Sequence, residues 1–64
     1  MYYIELIKED LITFAEDFGN SKQAAIQNLI NDVNEYYNEH YRTLKEIIDS
    51  YNIVDVIINK IDQV

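Results

Sequence analysis

Apolar residues in the first third of the chain recur at steps of three and four. Such spacing puts side chains on one face of an α-helix, and it predicts a first helix over about residues 2–18. The only glycine, Gly19, follows this segment and can end a helix in the left-handed conformation. Asn20 and Ser21 come next as candidate caps of a second helix. The first apolar face consists of Ile4, Ile7, Leu11, Phe14 and Phe18.

A stricter pattern begins at Ile26, where apolar steps of four and three alternate up to Tyr51. This heptad pattern predicts a second helix over about residues 21–50 with a polar outer face. We interpret His40 as a core residue of that helix that hydrogen-bonds a tyrosine hydroxyl or its counterpart in a second copy. The heptad seam comprises Ile26, Ile30, Val33, Tyr37, His40, Leu44, Ile47 and Tyr51.

The C-terminal segment leaves three alternatives open. We predict a break at residues 50–52 and a short third helix over about residues 53–62, with Asn52 as N-cap and Asp55 at the capping-box position. The second helix could instead continue through the break. A strand is the third alternative, because the run IVDVII is rich in β-branched residues.

The length of the chain indicates self-association. Its 64 residues allow a single domain, 1–64, and a domain of this size buries only about 60% of its unfolded surface. The chain contains no cysteine for a disulfide or a zinc site, so an oligomer is the remaining common way to enlarge the core. The predicted fold is therefore all-α: a helical hairpin with a long heptad-patterned second helix and a short third C-terminal helix, packed as a dimeric helical bundle.

Charge restricts the classes of partner. Twelve Asp and Glu residues against five Lys and Arg give a formal charge of −7, which disfavours direct binding to nucleic acid or to an anionic membrane. No apolar run has the length of a membrane span or the form of a leader peptide. Ile, Asn and Tyr are abundant while Arg occurs once, as AT-rich coding produces in low-GC bacteria and their phages. We expect a cytoplasmic protein of a bacterial or phage-infected bacterial cell.

The motifs of catalysis and metal binding are missing from the sequence. His40 is the only histidine, and Tyr37 stands three residues before it, where a helical metal site would carry glutamate. Ser21 and Ser50 fall at predicted helix boundaries, where capping is their ordinary role. We therefore predict no enzyme, no catalytic residue, no cofactor and no metal site.

Two sets of residues are candidates for binding a partner. An acidic face along the second helix could contact a basic surface, although a solvated face is its ordinary role. Tyrosines outside the heptad core could contact a partner, because tyrosine is enriched at protein interfaces. The acidic face is Asp32, Glu35, Glu39, Glu46 and Asp49, and the interface tyrosines are Tyr2, Tyr3, Tyr36 and Tyr41.

The predicted function follows from size and charge. We expect a small acidic regulator that binds the basic surface of a larger protein, as phage or mobile-element inhibitors of defence enzymes and antitoxins do. The alternative is a structural or assembly module, which associates with itself or with a companion subunit. The extent to which self-association buries Tyr36 and Tyr41 distinguishes these two functions.

Overall fold

Three strands and two helices make up residues 1–61, the part of the chain that the structure describes. In the computed structural model the strands form one antiparallel sheet with the order β2-β1-β3. The predicted all-α helical bundle is therefore wrong. The elements are β1 (Tyr2–Lys8), β2 (Thr13–Gly19), α1 (Lys22–Tyr37), α2 (Leu44–Ser50) and β3 (Ile53–Lys60).

The predicted first helix is a β-hairpin. Ile4 and Leu6 are fully buried, whereas Glu5 between them lies on the opposite side of the strand, as the two-residue period of a strand requires. Leu11 adopts a left-handed conformation with φ of 67° in the connecting turn. Its amide donates to the carbonyl of Lys8 at 2.8 Å. The chain therefore reverses where the apolar spacing predicted a continuous helix.

The strand register gives the sheet a face toward the helices and an open outer face. On the inner face, Leu6 lies opposite Ala15 of β2 and Val56 of β3. The alternate residues of each strand point away from the helices. The outer face carries Tyr3, Glu5, Ile7, Thr13, Glu16, Phe18, Asp55, Ile57 and Asn59.

The predicted second helix is two helices. Ser21 caps α1 by accepting a hydrogen bond from the amide of Ala24 at 3.1 Å, which confirms its predicted capping role. At the other end, Asn38 takes a left-handed conformation with φ of 56°. The side-chain amide of Asn34 then binds both the carbonyl and the amide of Tyr41, at 2.9 and 2.8 Å. This side chain holds the chain in its new direction after the helix ends.

A separate cap begins α2. Thr43 and Glu46 form a capping box in which each side chain binds the backbone of the other residue. His40 lies exposed in the connection before it, so the prediction of a buried histidine is wrong. The residues of the predicted heptad seam lie on two helices and the segments after them, so they do not form one continuous face. Ile30, Val33 and Ile47 are buried, Ile26, Leu44 and Tyr51 are half-buried, and Tyr37 and His40 are exposed.

The predicted third helix is strand β3, so the strand alternative is confirmed and the helix is wrong. Asn52 has a left-handed φ of 56° and makes the turn into the strand, where we predicted a helix N-cap. β3 pairs with β1 over its whole length, with a bulge near its start. Residue 62, at the end of the predicted helix, lies outside the described residues.

The core lies between the inner face of the sheet and the two helices. Within residues 1–61 it contains eight buried apolar residues from every element except β2, whose half-buried Phe14 and Ala15 pack against it. None of the helices within residues 1–61 is long and apolar enough to cross a membrane. The buried residues are Ile4, Leu6, Ala25, Leu29, Ile30, Val33, Ile47 and Ile53.

Gly19 is required where the end of β2 touches α1. A Cβ atom on this residue would lie 2.3 Å from the amide nitrogen of Ala25 and 2.6 Å from the carbonyl carbon of Ala24. The φ angle of Gly19 is not positive, so the predicted left-handed C-cap is wrong. The close approach of two backbones explains the glycine.

Candidate functional site

An aromatic cluster covers one end of the helical layer. Phe14 of β2 stacks with Tyr37 at a centroid distance of 5.7 Å and an interplanar angle of 5°. Tyr51 lies 4.5 Å from Phe14 and 5.1 Å from Tyr37. Tyr36 contacts Tyr37 edge-on at 4.7 Å. These contacts join β2, the end of α1 and the residue after α2, so they fix the relative positions of three elements.

A hydrogen bond between two tyrosines extends the cluster toward the connection between the helices. The hydroxyl of Tyr41 donates to that of Tyr51 at 3.1 Å. This bond, together with partial burial, raises the pKa of Tyr51 to about 12. The Tyr51 hydroxyl therefore keeps its proton at neutral pH and contributes no charge to the site.

A groove of about 300 Å³ opens beside this cluster, between β2 and α1. Two aromatic rings from α1 and one from β2 form its apolar wall, and carboxylates from both elements lie at its polar side. We call it the acidic groove. It is lined by Phe14, Ala15, Glu16, Asp32, Val33, Tyr36 and Tyr37.

Two carboxyl groups meet where α1 crosses β2. Asp17 accepts the amide of Phe18 at 2.9 Å through Oδ1, and its Oδ2 is buried. The hydrogen bond between Asp17 and Asp32 raises the pKa of Asp32 to about 6, and partial burial and the nearby charge of Glu35 act in the same direction. If both groups were ionised, Oδ2 of Asp17 would meet no donor within residues 1–61. Below about pH 6, a proton on Asp32 supplies that donor.

The groove combines the two features that bind an organic cation. Its carboxylates supply negative charge, and its aromatic rings present faces that attract ammonium or guanidinium groups. No lysine or arginine is among the residues that line it. Within residues 1–61, no group of three or more His, Cys, Asp or Glu side chains is arranged to hold a metal ion.

The structure distributes the predicted acidic face over three segments. Asp32 and Glu35 lie on α1, with Asp32 in the acidic groove and Glu35 close enough to affect its pKa. Glu39 lies in the connection between the helices. Glu46 caps α2, and hydrogen bonds from the Arg42 and Thr43 amides lower its pKa. The prediction that one helix carries all five residues is wrong, while their binding role stays a prediction.

Asp49, the last member of the predicted face, is paired. Its carboxylate lies 2.8 Å from the ammonium of Lys45 in an exposed ion pair one helical turn apart. This proximity raises the pKa of Lys45. The ion pair offsets the charge of Asp49, so Asp49 adds little net negative charge to the predicted acidic face.

The four predicted interface tyrosines occupy different environments. Tyr36 is 81% exposed at the acidic groove, whereas Tyr2 and Tyr41 are half-buried against the core. Tyr3 lies on the outer sheet face, where its hydroxyl donates to Glu16 at 2.7 Å and this bond raises its pKa. Only Tyr36 among them lines the groove.

Sequence reasoning missed the contribution of β2 to the site. Phe14, Glu16 and Asp17 were assigned to a helix, and none was a candidate binding residue. The signal that could have found them is the alternation in TFAEDFG, which places Ala15 and Asp17 on one face of a strand and Glu16 on the other.

Comparisons with family models, curated proteins and solved structures find no match for this chain.

Proposed function

We propose that this protein is a small acidic regulator that binds a larger protein by receiving a lysine or arginine side chain in the acidic groove. Binding there would cover the partner's basic surface and inhibit whatever that surface engages. The observation that carries the proposal is that Asp32 and the exposed ring of Tyr36 line the groove together. Glu35 is close enough to act on the pKa of Asp32, and no basic residue lines the groove.

The electrostatics of the groove favour a cationic ligand over a neutral one. A cation in the acidic groove would pair with the carboxylate of Asp32, one of the residues that line it. Its approach would be assisted by the formal charge of −7, because a field of one sign raises the rate of association with an oppositely charged surface. Arginine fits especially well, because its planar group can bind carboxylates and stack on tyrosine together.

The test is an affinity capture from the native lysate with matched variants. The groove variant carries Asp32→Asn and Glu35→Gln, and the control carries Glu9→Gln and Asp10→Asn, which removes the same charge from exposed positions outside the predicted acidic face. We expect one stoichiometric partner with the wild type and the control, and its loss from the groove variant. That partner should also elute as salt is raised, because ion pairs are screened.

Purified partner then allows the proposal to be contradicted. Titration calorimetry should give an affinity for the groove variant at least tenfold weaker than for the control, and Tyr36→Ala should weaken binding as well. Equal affinities of the groove and control variants would refute the acidic groove as the binding site. Recovery of only the bait, or of a companion that survives high salt, would favour an assembly module instead.

The assembly module remains a second candidate because of a different observation. Strand β3 forms one edge of the sheet and has Val54 58% exposed and Ile57 half-buried. An apolar edge strand can pair with a strand of another chain. Its contribution is separable from that of the groove, which lies against β2 at the opposite edge.

A further inference from the structure

The two edge strands of the sheet, β2 and β3, are protected to different degrees against pairing with a strand of another chain. β3 has eight residues with a single basic side chain, Lys60, at its end, and no proline. Proline and central lysines are devices by which natural edge strands avoid pairing. β3 carries only the bulge near Val54, at its beginning. The Val56 amide, which faces this edge, donates to Oδ1 of Asp55 at 2.9 Å, so a partner strand would have to replace this local hydrogen bond. The rest of the strand after the bulge has no such protection among the contacts within residues 1–61.

The β2 edge is protected by charge and by cover. Glu16 and Asp17 place two carboxylates in the middle of the strand. Helix α1 packs over its inner side, with Asp32 close to Asp17. A second copy paired along β2 would bring these carboxylates toward their counterparts, and like charges opposite each other destabilise a strand pair. Self-association is directed away from this edge.

We infer that β3 pairs antiparallel with β3 of a second copy of this chain, about a two-fold axis at Ile57, to form a six-stranded sheet. The axis is perpendicular to the sheet, so residues on the same face lie opposite each other. Ile57 meets its own counterpart on the outer face, and Asp55 lies opposite Asn59 of the second copy. On the helix side, Val56 lies opposite Ile58 of the second copy.

The side chains of β3 favour this register over its neighbours. With the axis at Ile57, Val56 faces Ile58, Ile57 faces its own counterpart and the carboxylate of Asp55 faces an amide, while Val54 at the bulge faces Lys60. A shift of the axis to Val56 would place the carboxylate of Asp55 opposite the apolar side chain of Ile57. A shift of the axis to Ile58 would place Val56 opposite Lys60 and Asp55 opposite Ile61. A shift to Asp55 would place two carboxylates opposite each other, which is unfavourable. Charge and polarity along β3 therefore favour pairing with a second copy in this register over the neighbouring registers.

Pairing through β3 would enlarge the apolar layer that each copy buries. The described part of the chain, residues 1–61, buries eight apolar residues in its core, and a chain of this size has a marginal ratio of buried to exposed surface. Pairing would cover Ile57 on the outer face and extend the inner row of Val56 and Ile58 across the axis. The acidic groove lies at the other edge of each copy, so this inference stands independently of the proposed function.

Single-cysteine cross-linking tests the register directly, because the chain has no cysteine of its own. Ile57→Cys places two thiols opposite each other at a Cα separation of about 5 Å, which a disulfide can span. Asn59→Cys is the matched control on the same strand and face. In this register its two copies lie roughly 13 Å or more apart, beyond disulfide reach. Phe18→Cys is the control on the outer face of β2.

We expect mild oxidation to convert Ile57→Cys to a covalent dimer while both control variants stay monomeric on non-reducing gels. Equal cross-linking of all three variants, or none at Ile57→Cys, would overturn the proposed pairing.

A non-covalent measurement supports the same test. Sedimentation equilibrium should give a dimer for the wild type and for Ile57→Val. Ile57→Lys would place two ammonium groups at the axis, and it should raise the dimer dissociation constant roughly tenfold or more. Circular dichroism checks that this variant is folded, since position 57 faces out of the core. A wild type that is monomeric at all concentrations, or that uses β3 to bind only a foreign strand, would refute the inference.

Discussion

Asp32 and Asp17 make the stability of the fold depend on a proton. In the folded chain their hydrogen bond raises the pKa of Asp32 from 3.8 to about 6. A group with a raised pKa binds its proton more tightly in the folded state than in the unfolded state. Its contribution to stability is therefore complete below about pH 4 and is lost as the pH rises through about 6.

Asp32→Asn should stabilise the protein at neutral pH. The amide can donate to Asp17 without a titratable proton, so the free energy of unfolding at pH 7.5 should rise by ~1 kcal/mol, a value reduced for solvent screening at this exposed position. At pH 4.5 the gain should largely vanish, because the wild type is then protonated. Urea denaturation at several pH values measures the free energy of unfolding of both proteins, and hence the gain at pH 7.5 and at pH 4.5. A gain of equal size at both pH values would contradict the shared proton, and Asp49→Asn provides the exposed control.

Gly19→Ala should be strongly destabilising. The added methyl group would overlap the backbone of Ala24 and Ala25, and those atoms cannot move without shifting the start of α1. We expect a loss of about 3 kcal/mol in the free energy of unfolding, at the upper end of the usual cost of overpacking. Thermal and urea denaturation measure it, with Asn20→Ala as the neighbouring control. A loss below about 0.5 kcal/mol would show that β2 and α1 do not approach so closely.

At the scale of the element, the short helix α2 depends on its cap. Seven residues are too few for a stable helix on propensity alone, so the Thr43 and Glu46 capping box should contribute measurably. Thr43→Ala should cost about 1 kcal/mol of unfolding free energy, whereas Thr43→Ser should cost little because it keeps the hydroxyl. Equal losses for the two variants would argue against the capping hydrogen bond.

The elements differ in how far the sequence predicts them. The start of α1 was predicted correctly because Ser21 is a local signal that depends only on adjacent residues. The capping box at Thr43 is equally local, and it could have shown that a new helix begins there. The end of α1 was missed because Asn34, Asn38 and Tyr41 break the helix through contacts that the heptad spacing does not contain.

The hairpin was missed because a helical spacing arose from residues in unrelated positions. Ile4 lies on the inner face of β1, Ile7 on its outer face, and Leu11 in the turn at 80% exposure. Their steps of three and four match a helix only by coincidence. Leu6 is fully buried but lies outside the predicted helical face. Its spacing of two residues from Ile4 is that of one face of a strand. For β3, the β-branched run left a strand open as an alternative to a helix. The structure has the strand, because this segment pairs with β1.

The candidate site could be predicted only on its helical side. Asp32, Glu35 and Tyr36 were proposed from charge and aromatic content, and all three lie at or beside the acidic groove. Their companions Phe14 and Asp17 come from β2, more than a dozen residues earlier in the chain. Such a meeting depends on how the sheet and α1 pack together, which local periodicity does not contain.

At the scale of the whole molecule, unbalanced negative charge should oppose folding. Twelve acidic residues face five basic ones, and within residues 1–61 the one ion pair is the exposed contact of Lys45 with Asp49. Such an excess destabilises a compact state through self-repulsion. Salt shortens the Debye length from about 30 Å at 0.01 M to about 8 Å at 0.15 M, and should therefore stabilise the protein.

We expect the free energy of unfolding to rise by roughly 0.5 kcal/mol across this range of NaCl, the size of one or two exposed charge interactions. The groove variant with Asp32→Asn and Glu35→Gln should lose most of this gain, because the strongest repulsion lies between α1 and β2. The control with Glu9→Gln and Asp10→Asn loses the same formal charge and should keep more of the salt-dependent gain. Urea denaturation at the two salt concentrations measures the difference. If salt raised the free energy of unfolding equally in both variants, the repulsion would be spread evenly over the surface. The acidic groove would then have no more negative potential than the rest of the surface to attract a cationic partner.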